Sequence, residues 1–98
     1  MEVVTLEPNI NSDLLRGYAD ELDGSVGFDF GIGNLNNSIT FQQVLPGEFT
    51  AKVALSPNVN YHIRAKAKWY WESEWTYGKI WEVPVVANSR FGSGGKVL

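Results

Sequence analysis

Hydrophobic and polar residues alternate along most of the chain, and turn-forming residues interrupt the alternation about every eight to twelve positions. Successive side chains of a β-strand point to opposite faces, so this alternation predicts strands that each carry one apolar face. The alternating segments are 3–6, 14–18, 26–30, 38–44, 48–55, 61–68 and 80–85. About seven short strands with short connections predict an all-β fold of two antiparallel sheets, an immunoglobulin-like β-sandwich.

The last two long segments are predicted to form a hairpin whose turn is centred on Ser73. This register places Ala65 opposite Trp81 in the core, and Arg64 opposite Glu82 on the outer face. A β-bulge would shift the register by one residue, which is the alternative. Strand alternation in the same register puts four rings on the core-facing side, beyond the expected end of the sandwich: Trp69, Trp71, Trp75 and Tyr77. Two of these rings, at positions 71 and 75, would then face each other across the turn.

The run Leu55-Ser56-Pro57-Asn58-Val59-Asn60-Tyr61 resembles the tyrosine corner of fibronectin type III domains. Further pieces follow in the order of that family and cover most of residues 3–86: Leu15-Arg16-Gly17, 26–31, 47–51, 61–67 and Tyr77-Gly78. The chain is therefore similar to the fibronectin type III-like repeats of prokaryotic surface or secreted proteins. The resemblance implies a fibronectin type III topology with a corner formed by Leu55, Pro57 and Tyr61. The Tyr61 ring would lie in the core, and its hydroxyl would bond to the backbone a few residues upstream.

The chain is predicted to contain one domain over residues 1–87 and a flexible linker over residues 88–98. The linker is rich in Gly and Ser, which bury too little apolar surface to become ordered. The N-terminus lacks the features of a signal peptide, and the absence of about eighteen consecutive apolar residues predicts no membrane insertion. We expect a domain cut from a longer extracellular or cell-surface chain, whereas a chain complete as given would be cytoplasmic.

Composition argues against catalysis and against nucleic acid as a partner. The 98 residues include no Cys and one His, and the net charge is −3. An acidic chain lacks the basic face that nucleic-acid binding requires. His62 is predicted to be a solvated side chain on the polar face of a strand, which leaves no nucleophile–base pair. We therefore expect neither enzyme activity nor a cofactor.

Three further patterns have simple structural interpretations. The carboxylates of segment 20–24 could attract Ca²⁺, but the long spaced loop of a dedicated site is missing, so an acidic turn is favoured and no metal is predicted. Arg64, Lys66 and Lys68 alternate with core residues, which favours the solvated face of a strand. Asn36-Asn37-Ser38 matches the acceptor pattern for N-glycosylation, with chance occurrence as the alternative.

An aromatic hairpin stands where related repeats carry a small, polar loop. Its candidate binding residues are Trp69, Tyr70, Trp71, Glu72, Glu74, Trp75 and Tyr77. In one interpretation, which the sequence favours, the rings cap the open end of the core and stiffen the hairpin. In the other, they form a platform for a sugar ring or for an apolar patch of a partner, with the two Glu side chains as acceptors at its rim.

These patterns predict a non-catalytic structural, adhesion or interaction module of a larger surface or secreted protein. The alternative is a carbohydrate-binding module that uses the aromatic hairpin around residues 69–77. The expected partners are the neighbouring domains of the parent chain and a protein or glycan ligand. The domain itself is expected to be a monomer.

Tyr61→Phe tests the tyrosine corner. The substitution removes only the hydroxyl, so if that group is buried and hydrogen-bonded, the free energy of unfolding should fall by about 1–3 kcal/mol. Chemical denaturation measures the change. An unchanged free energy of unfolding would reject a corner at this position.

Overall fold

The computed structural model describes residues 1–9, 12–54, 59–85 and 96–97. Its strands are β1 (Val3–Asn9), β2 (Leu14–Ala19), β3 (Gly24–Ile32), β4 (Asn37–Gln43), β5 (Gly47–Lys52), β6 (Val59–Trp69), β7 (Thr76–Val85) and the two-residue β8 (Lys96–Val97). A three-stranded sheet has the order β1-β2-β5, and a five-stranded sheet has the order β4-β3-β6-β7-β8. Neighbouring strands are antiparallel. The predicted all-β sandwich is confirmed.

The described residues include no helix with the length and apolar character needed to cross a membrane.

The core lies between the inner faces of the two sheets and is filled mainly by alternate residues of β1, β2, β3, β5, β6 and β7. In β5, for example, Phe49 and Ala51 are buried while Thr50 between them is exposed. The rings of Phe28 and Phe49 meet between the sheets with their centroids 5.4 Å apart. Gly17 leaves room for this contact, because a Cβ there would lie 2.7 Å from the Phe49 ring. The largest fully buried side chains are Phe28, Leu15, Ile63, Val26 and Val83.

The β6–β7 hairpin has a different register from the predicted one. The observed opposite pairs are Ile63–Trp81, His62–Glu82 and Arg64–Ile80. The predicted pairs of Ala65 with Trp81 and of Arg64 with Glu82 are therefore wrong by two residues. Because side chains alternate, a shift of two keeps each residue on its face of the sheet, and Val83 still faces the core.

A β-bulge interrupts this hairpin at Ala65, where β7 contributes two residues, Gly78-Lys79, against one residue of β6. Between the bulge and the turn, Lys66 lies opposite Tyr77. A shift of one residue moves side chains to the opposite face of a sheet. The prediction that Trp75 and Tyr77 face the core is therefore wrong, because the extra residue turns both rings outward.

Thr5 of β1 fills the gap that the bulge opens. The backbone N–H of Ala65 donates a hydrogen bond to Thr5 Oγ1 at 2.9 Å, and Trp81 Nε1 donates to the Thr5 carbonyl oxygen at 2.9 Å. Gly78 lets β1 approach this closely, because a Cβ at Gly78 would lie 2.6 Å from Thr5 Oγ1. Thr5 is buried, so its hydroxyl satisfies a backbone donor in a place that water does not reach.

Part of the predicted linker lies in a strand. Lys96 and Val97 form β8, which pairs with Glu82 and Trp81 of β7. The other residues of the predicted linker lie outside the described residues, and for them the boundary after residue 87 stays a prediction.

The predicted tyrosine corner is described only in part. Tyr61 is buried in the core, as the resemblance implies. Leu55 and Pro57 lie outside the described residues. The corner itself therefore stays a prediction.

Thr5→Val tests how strongly the bulge depends on the Thr5 hydroxyl. The substitution keeps the shape of the side chain but leaves the Ala65 N–H without its acceptor. The free energy of unfolding, measured by chemical denaturation, should therefore fall by about 1–3 kcal/mol. Thr50→Val is the matched control, because Thr50 is exposed on β5 and its replacement should change stability by about 0.5 kcal/mol at most. Equal effects of the two substitutions would contradict this role of Thr5.

Candidate functional site

The end of β6 and the turn that follows it carry three aromatic residues in succession, Trp69, Tyr70 and Trp71. The rings of Trp69 and Trp71 stack with centroids 5.4 Å apart and planes 7° apart. Tyr70 meets Trp71 edge-on at 4.8 Å. Tyr70 and Trp71 are 73% and 59% exposed, respectively. These three residues, which we call the hairpin cluster, form a connected aromatic surface at the tip of the hairpin.

Backbone hydrogen bonds fix the position of the hairpin cluster. The N–H of Glu72 donates to the carbonyl of Trp69 at 3.0 Å and closes the turn. The N–H of Tyr70 donates to the carbonyl of Asp23 at 2.9 Å, which ties the turn to the segment before β3. Gly24 permits this contact, because a Cβ there would lie 2.7 Å from the Tyr70 nitrogen. The exposed rings are therefore attached to a backbone that these two hydrogen bonds hold in place.

The hairpin cluster lies outside the core. In the part of the chain that the structure describes, neither the buried core nor the half-buried hydrophobic residues packed on it include any aromatic residue of segment 69–77. The interpretation that these rings cap the core is therefore wrong. The last core residue of β6 is Ala67, and the hairpin continues past it with the bulge turning Trp75 and Tyr77 outward. Glu72 and Glu74 are both exposed at the turn.

Trp75 and Tyr77 form a second group on the outer face of the larger sheet. The guanidinium of Arg64 lies 3.7 Å from the centre of the Tyr77 ring. The ammonium groups of Lys66 and Lys68 lie 4.6 Å and 4.9 Å from the centre of the Trp75 ring. Cations in this position are attracted by the face of the ring. The sequence predicted that the hairpin rings lie together on one face. In the structure they are divided between two groups.

Asp29 of β3 joins the cations beneath the second group. Its Oδ2 accepts hydrogen bonds from Arg64 Nη2 at 2.6 Å and Nε at 3.2 Å, and its Oδ1 accepts one from Lys66 Nζ at 2.7 Å. Lys66 Nζ also donates to Ser38 Oγ at 2.7 Å. The Lys66 side chain is only 8% exposed. The prediction of a solvated basic stripe is therefore wrong at Lys66, whose charge is paired and covered by Trp75.

Burial and ion pairing act on the pKa of Asp29 in opposite directions. Burial of the carboxylate raises this pKa. The hydrogen bonds from Lys66 and Arg64, together with their positive charges, lower it further than burial raises it. The pKa of Asp29 therefore lies below the ordinary value for Asp, and the carboxylate is ionised at neutral pH.

Asp29 is the part of this surface that sequence reasoning missed. It lies between Phe28 and Phe30 in an alternating segment, and this position marks it as an outward-facing residue. Its partner follows only from the pairing of β3 with β6, which sets Asp29 opposite Arg64. An alignment of these two predicted strands would have placed the carboxylate beside the basic stripe.

Other candidate residues are placed as follows. The His62 side chain, predicted to be solvated, is 22% exposed, and its Nε2 lies 3.4 Å from Glu82 Oε2. In the acidic segment, Asp20 Oδ1 accepts a hydrogen bond from the Glu2 N–H at 2.6 Å. Among the described residues, no three His, Cys, Asp or Glu side chains are grouped so that they could hold a metal ion. Asn36 is exposed, and its glycosylation stays a prediction.

A small cleft lies between β1 and the β7–β8 edge. Its volume is about 190 Å³, and it is lined by Glu2, Val3, Val4, Thr5, Lys79 and Val97. Pockets that hold small molecules usually measure about 300–1,000 Å³. The cleft also contains none of the predicted binding residues. This cleft is therefore smaller than a typical small-molecule pocket and lies apart from the hairpin cluster.

Comparison of the chain with protein-family models, with curated proteins and with solved structures finds no match in any of the three. The resemblance to fibronectin type III repeats therefore stays a prediction.

Asp29→Asn removes the negative charge that pairs with Arg64 and Lys66. At neutral pH the free energy of unfolding should fall by about 3 kcal/mol, because two partly buried cations lose their counter-charge. The loss should shrink below about pH 4, the usual range of an unfolded-state Asp. Wild-type Asp29 then takes up a proton as the pH falls toward its lower folded-state pKa, and its stabilising contribution disappears. Chemical denaturation at a series of pH values measures both effects.

Glu48→Gln is the matched control for this substitution. It removes a carboxylate charge from the exposed pair of Arg16 and Glu48, in which Nη2 and Oε1 lie 2.8 Å apart. Because exposed salt bridges contribute little, the loss should stay below about 1 kcal/mol. An Asp29→Asn loss no larger than that of Glu48→Gln at neutral pH would contradict the stabilising role of Asp29.

Proposed function

We propose that this protein is a non-catalytic, fibronectin type III-like interaction module of a larger surface or secreted protein. In this function the domain is a rigid body that presents the hairpin cluster to a partner. The observation that carries the proposal is the exposure of Tyr70 and Trp71 on a backbone that hydrogen bonds hold in place.

The sheet arrangement supports the fibronectin type III part of the proposal. Strands distant in sequence are neighbours, with β2 beside β5 and β3 beside β6, as in Greek-key sandwiches. The buried position of Tyr61 also fits a tyrosine corner. These features agree with the resemblance of the sequence to fibronectin type III repeats.

The chemistry of the hairpin cluster suits a contact surface. Trp and Tyr are enriched among the residues that dominate protein interfaces. Ring stacking and the backbone bond to Asp23 restrict the cluster before any partner arrives, so binding would lose little conformational entropy. Soluble domains seldom expose joined aromatic rings unless the rings contact something.

A carbohydrate-binding module is the second candidate, and the open ring of Trp71 favours it. Trp69 stacks on Trp71, yet Trp71 remains 59% exposed, which leaves ring surface available to a sugar. Glu72 and Glu74 are exposed beside it and could accept hydrogen bonds from sugar hydroxyls.

Tyr70→Ala and Trp71→Ala test the proposal together. Each should change the free energy of unfolding by no more than about 1.5 kcal/mol, the size of an aromatic pair contact. Each should weaken binding to a glycan or to a neighbouring domain by about tenfold or more. Chemical denaturation measures the first quantity, and titration followed by indole NMR signals measures the second. Tyr18→Ala is the matched control, because Tyr18 is an exposed Tyr on the other sheet and its replacement should leave binding unchanged.

Trp81→Ala provides the stability reference. Trp81 packs against the core and donates to Thr5, so its truncation should cost about 3 kcal/mol or more. A loss of that size for Trp71→Ala would contradict the proposed contact surface. Indole signals that do not respond to glycans but respond to a neighbouring domain would reject only the carbohydrate-binding candidate.

A further inference from the structure

Each sheet of the sandwich has two edge strands, and exposed edges invite pairing with other strands. Proteins usually protect such edges with charged residues, Pro, bulges or very short strands. In the smaller sheet, β1 contains Pro8 and an irregular register between Leu6 and Asn9, and β5 carries Glu48 and Lys52. In the larger sheet, the described part of edge strand β8 is Lys96–Val97, and its neighbour β7 contains the bulge at Gly78-Lys79. Three of the four edges are thus protected.

The fourth edge, β4, has none of these protections. Its sequence, Asn37–Gln43, contains no charged residue and no Pro. It pairs with β3 at seven consecutive positions without a bulge. Among the described residues, no strand pairs with its other side. Val44 and Leu45, which follow it directly, are 69% and 71% exposed.

We propose that β4 is a self-association edge, at which two copies of this chain pair β4 to β4 in antiparallel orientation about a two-fold axis at Thr40. The two larger sheets then form one continuous sheet through the dimer. This inference rests on β4 and is independent of the hairpin cluster. It replaces the expectation of a monomer.

The pattern of side chains along β4 is complementary to itself in this register. Pairing about Thr40 uses all seven residues of the strand, from Asn37 opposite Gln43 to Thr40 opposite its own copy. Ile39 then lies opposite Phe41 of the second copy, twice in the dimer. Both side chains are half-buried against the core, so the pairing extends the apolar layer across the edge. Pairs of an aromatic with a β-branched residue and pairs of Thr with Thr are favourable across strands.

Two-fold axes at the neighbouring residues Ile39 and Phe41 give registers that are less complementary. An axis at Ile39 would place Phe41 opposite Asn37, and an axis at Phe41 would place Ile39 opposite Gln43. Each also leaves residues of the strand unpaired.

Because β4 contains no charged residue, pairing two copies along it brings no like charges together.

Sedimentation analysis of the wild-type chain over a range of concentrations tests the proposal. The mass should rise from 10.9 kDa toward twice that value as the concentration increases. Thr40→Lys should raise the dissociation constant by at least about tenfold, because two like charges would then lie opposite each other at the axis. Thr40 is exposed, so the variant should keep the circular dichroism spectrum and melting temperature of the wild type. Thr50→Lys, the same change on edge strand β5, should dimerise as the wild type does.

A charge-swap mixture tests the register. Thr40→Glu alone should be as monomeric as Thr40→Lys alone, and an equimolar mixture of the two should associate again because opposite charges then meet at the axis. Trp71→Ala should dimerise normally, which separates this edge from the proposed contact surface of the hairpin cluster. A wild type that stays monomeric, a Thr40→Lys variant that dimerises like the wild type, or a charge-swap mixture that stays monomeric would overturn the proposal. A monomeric wild type that binds an extended peptide along β4 would assign the edge to another protein and reject self-pairing.

Discussion

The hydrogen bond from the Ala65 N–H to Thr5 Oγ1 is the constraint on which the hairpin geometry depends. One extra residue in β7 leaves Ala65 without a one-to-one partner in that strand, and a buried N–H without an acceptor costs about 1–3 kcal/mol. Thr5 supplies the acceptor from the opposite sheet, and Gly78 leaves the space for it. The bulge is therefore stable because β1 closes over it. The one-residue shift determines the face of the sheet on which Trp75 and Tyr77 lie.

The bulge also explains how a charged group comes to be buried on the outer face of the larger sheet. Because Trp75 and Tyr77 turn outward, their rings cover the side chains of Arg64 and Lys66. Covering a cation with an aromatic ring removes water from it, which is costly unless an opposite charge is close. Asp29 provides that charge on the adjacent strand, and its lowered pKa reflects the two cations. The bulge and the ion cluster are thus parts of one arrangement.

The strands could be predicted from the sequence, but the detailed register of the hairpin could not. Alternation is a local property, so each predicted segment from β1 to β7 corresponds to an observed strand. The register of β6 against β7 depends on Thr5, which lies 60 residues before Ala65 in the chain. The same limit applies to Asp29, which precedes Arg64 by 35 residues. Sequence reasoning located the aromatic hairpin as the unusual segment. It assigned Trp75 and Tyr77 to the wrong face because the register was drawn without the bulge, in which the acceptor for the Ala65 N–H comes from Thr5 outside the hairpin.

The division of the hairpin rings into two groups bears on what the domain can contact. Trp75 and Tyr77 already have cations as neighbours, so a partner that displaced them would also expose the ion cluster around Asp29. The hairpin cluster has no such role: Tyr70 and Trp71 add little to the core, yet their backbone is fixed to Asp23. Rings that are held rigidly without being used in packing retain most of their apolar surface for a partner. This favours a contact centred on Trp71 at the tip, with Trp75 and Tyr77 maintaining the strand that carries it.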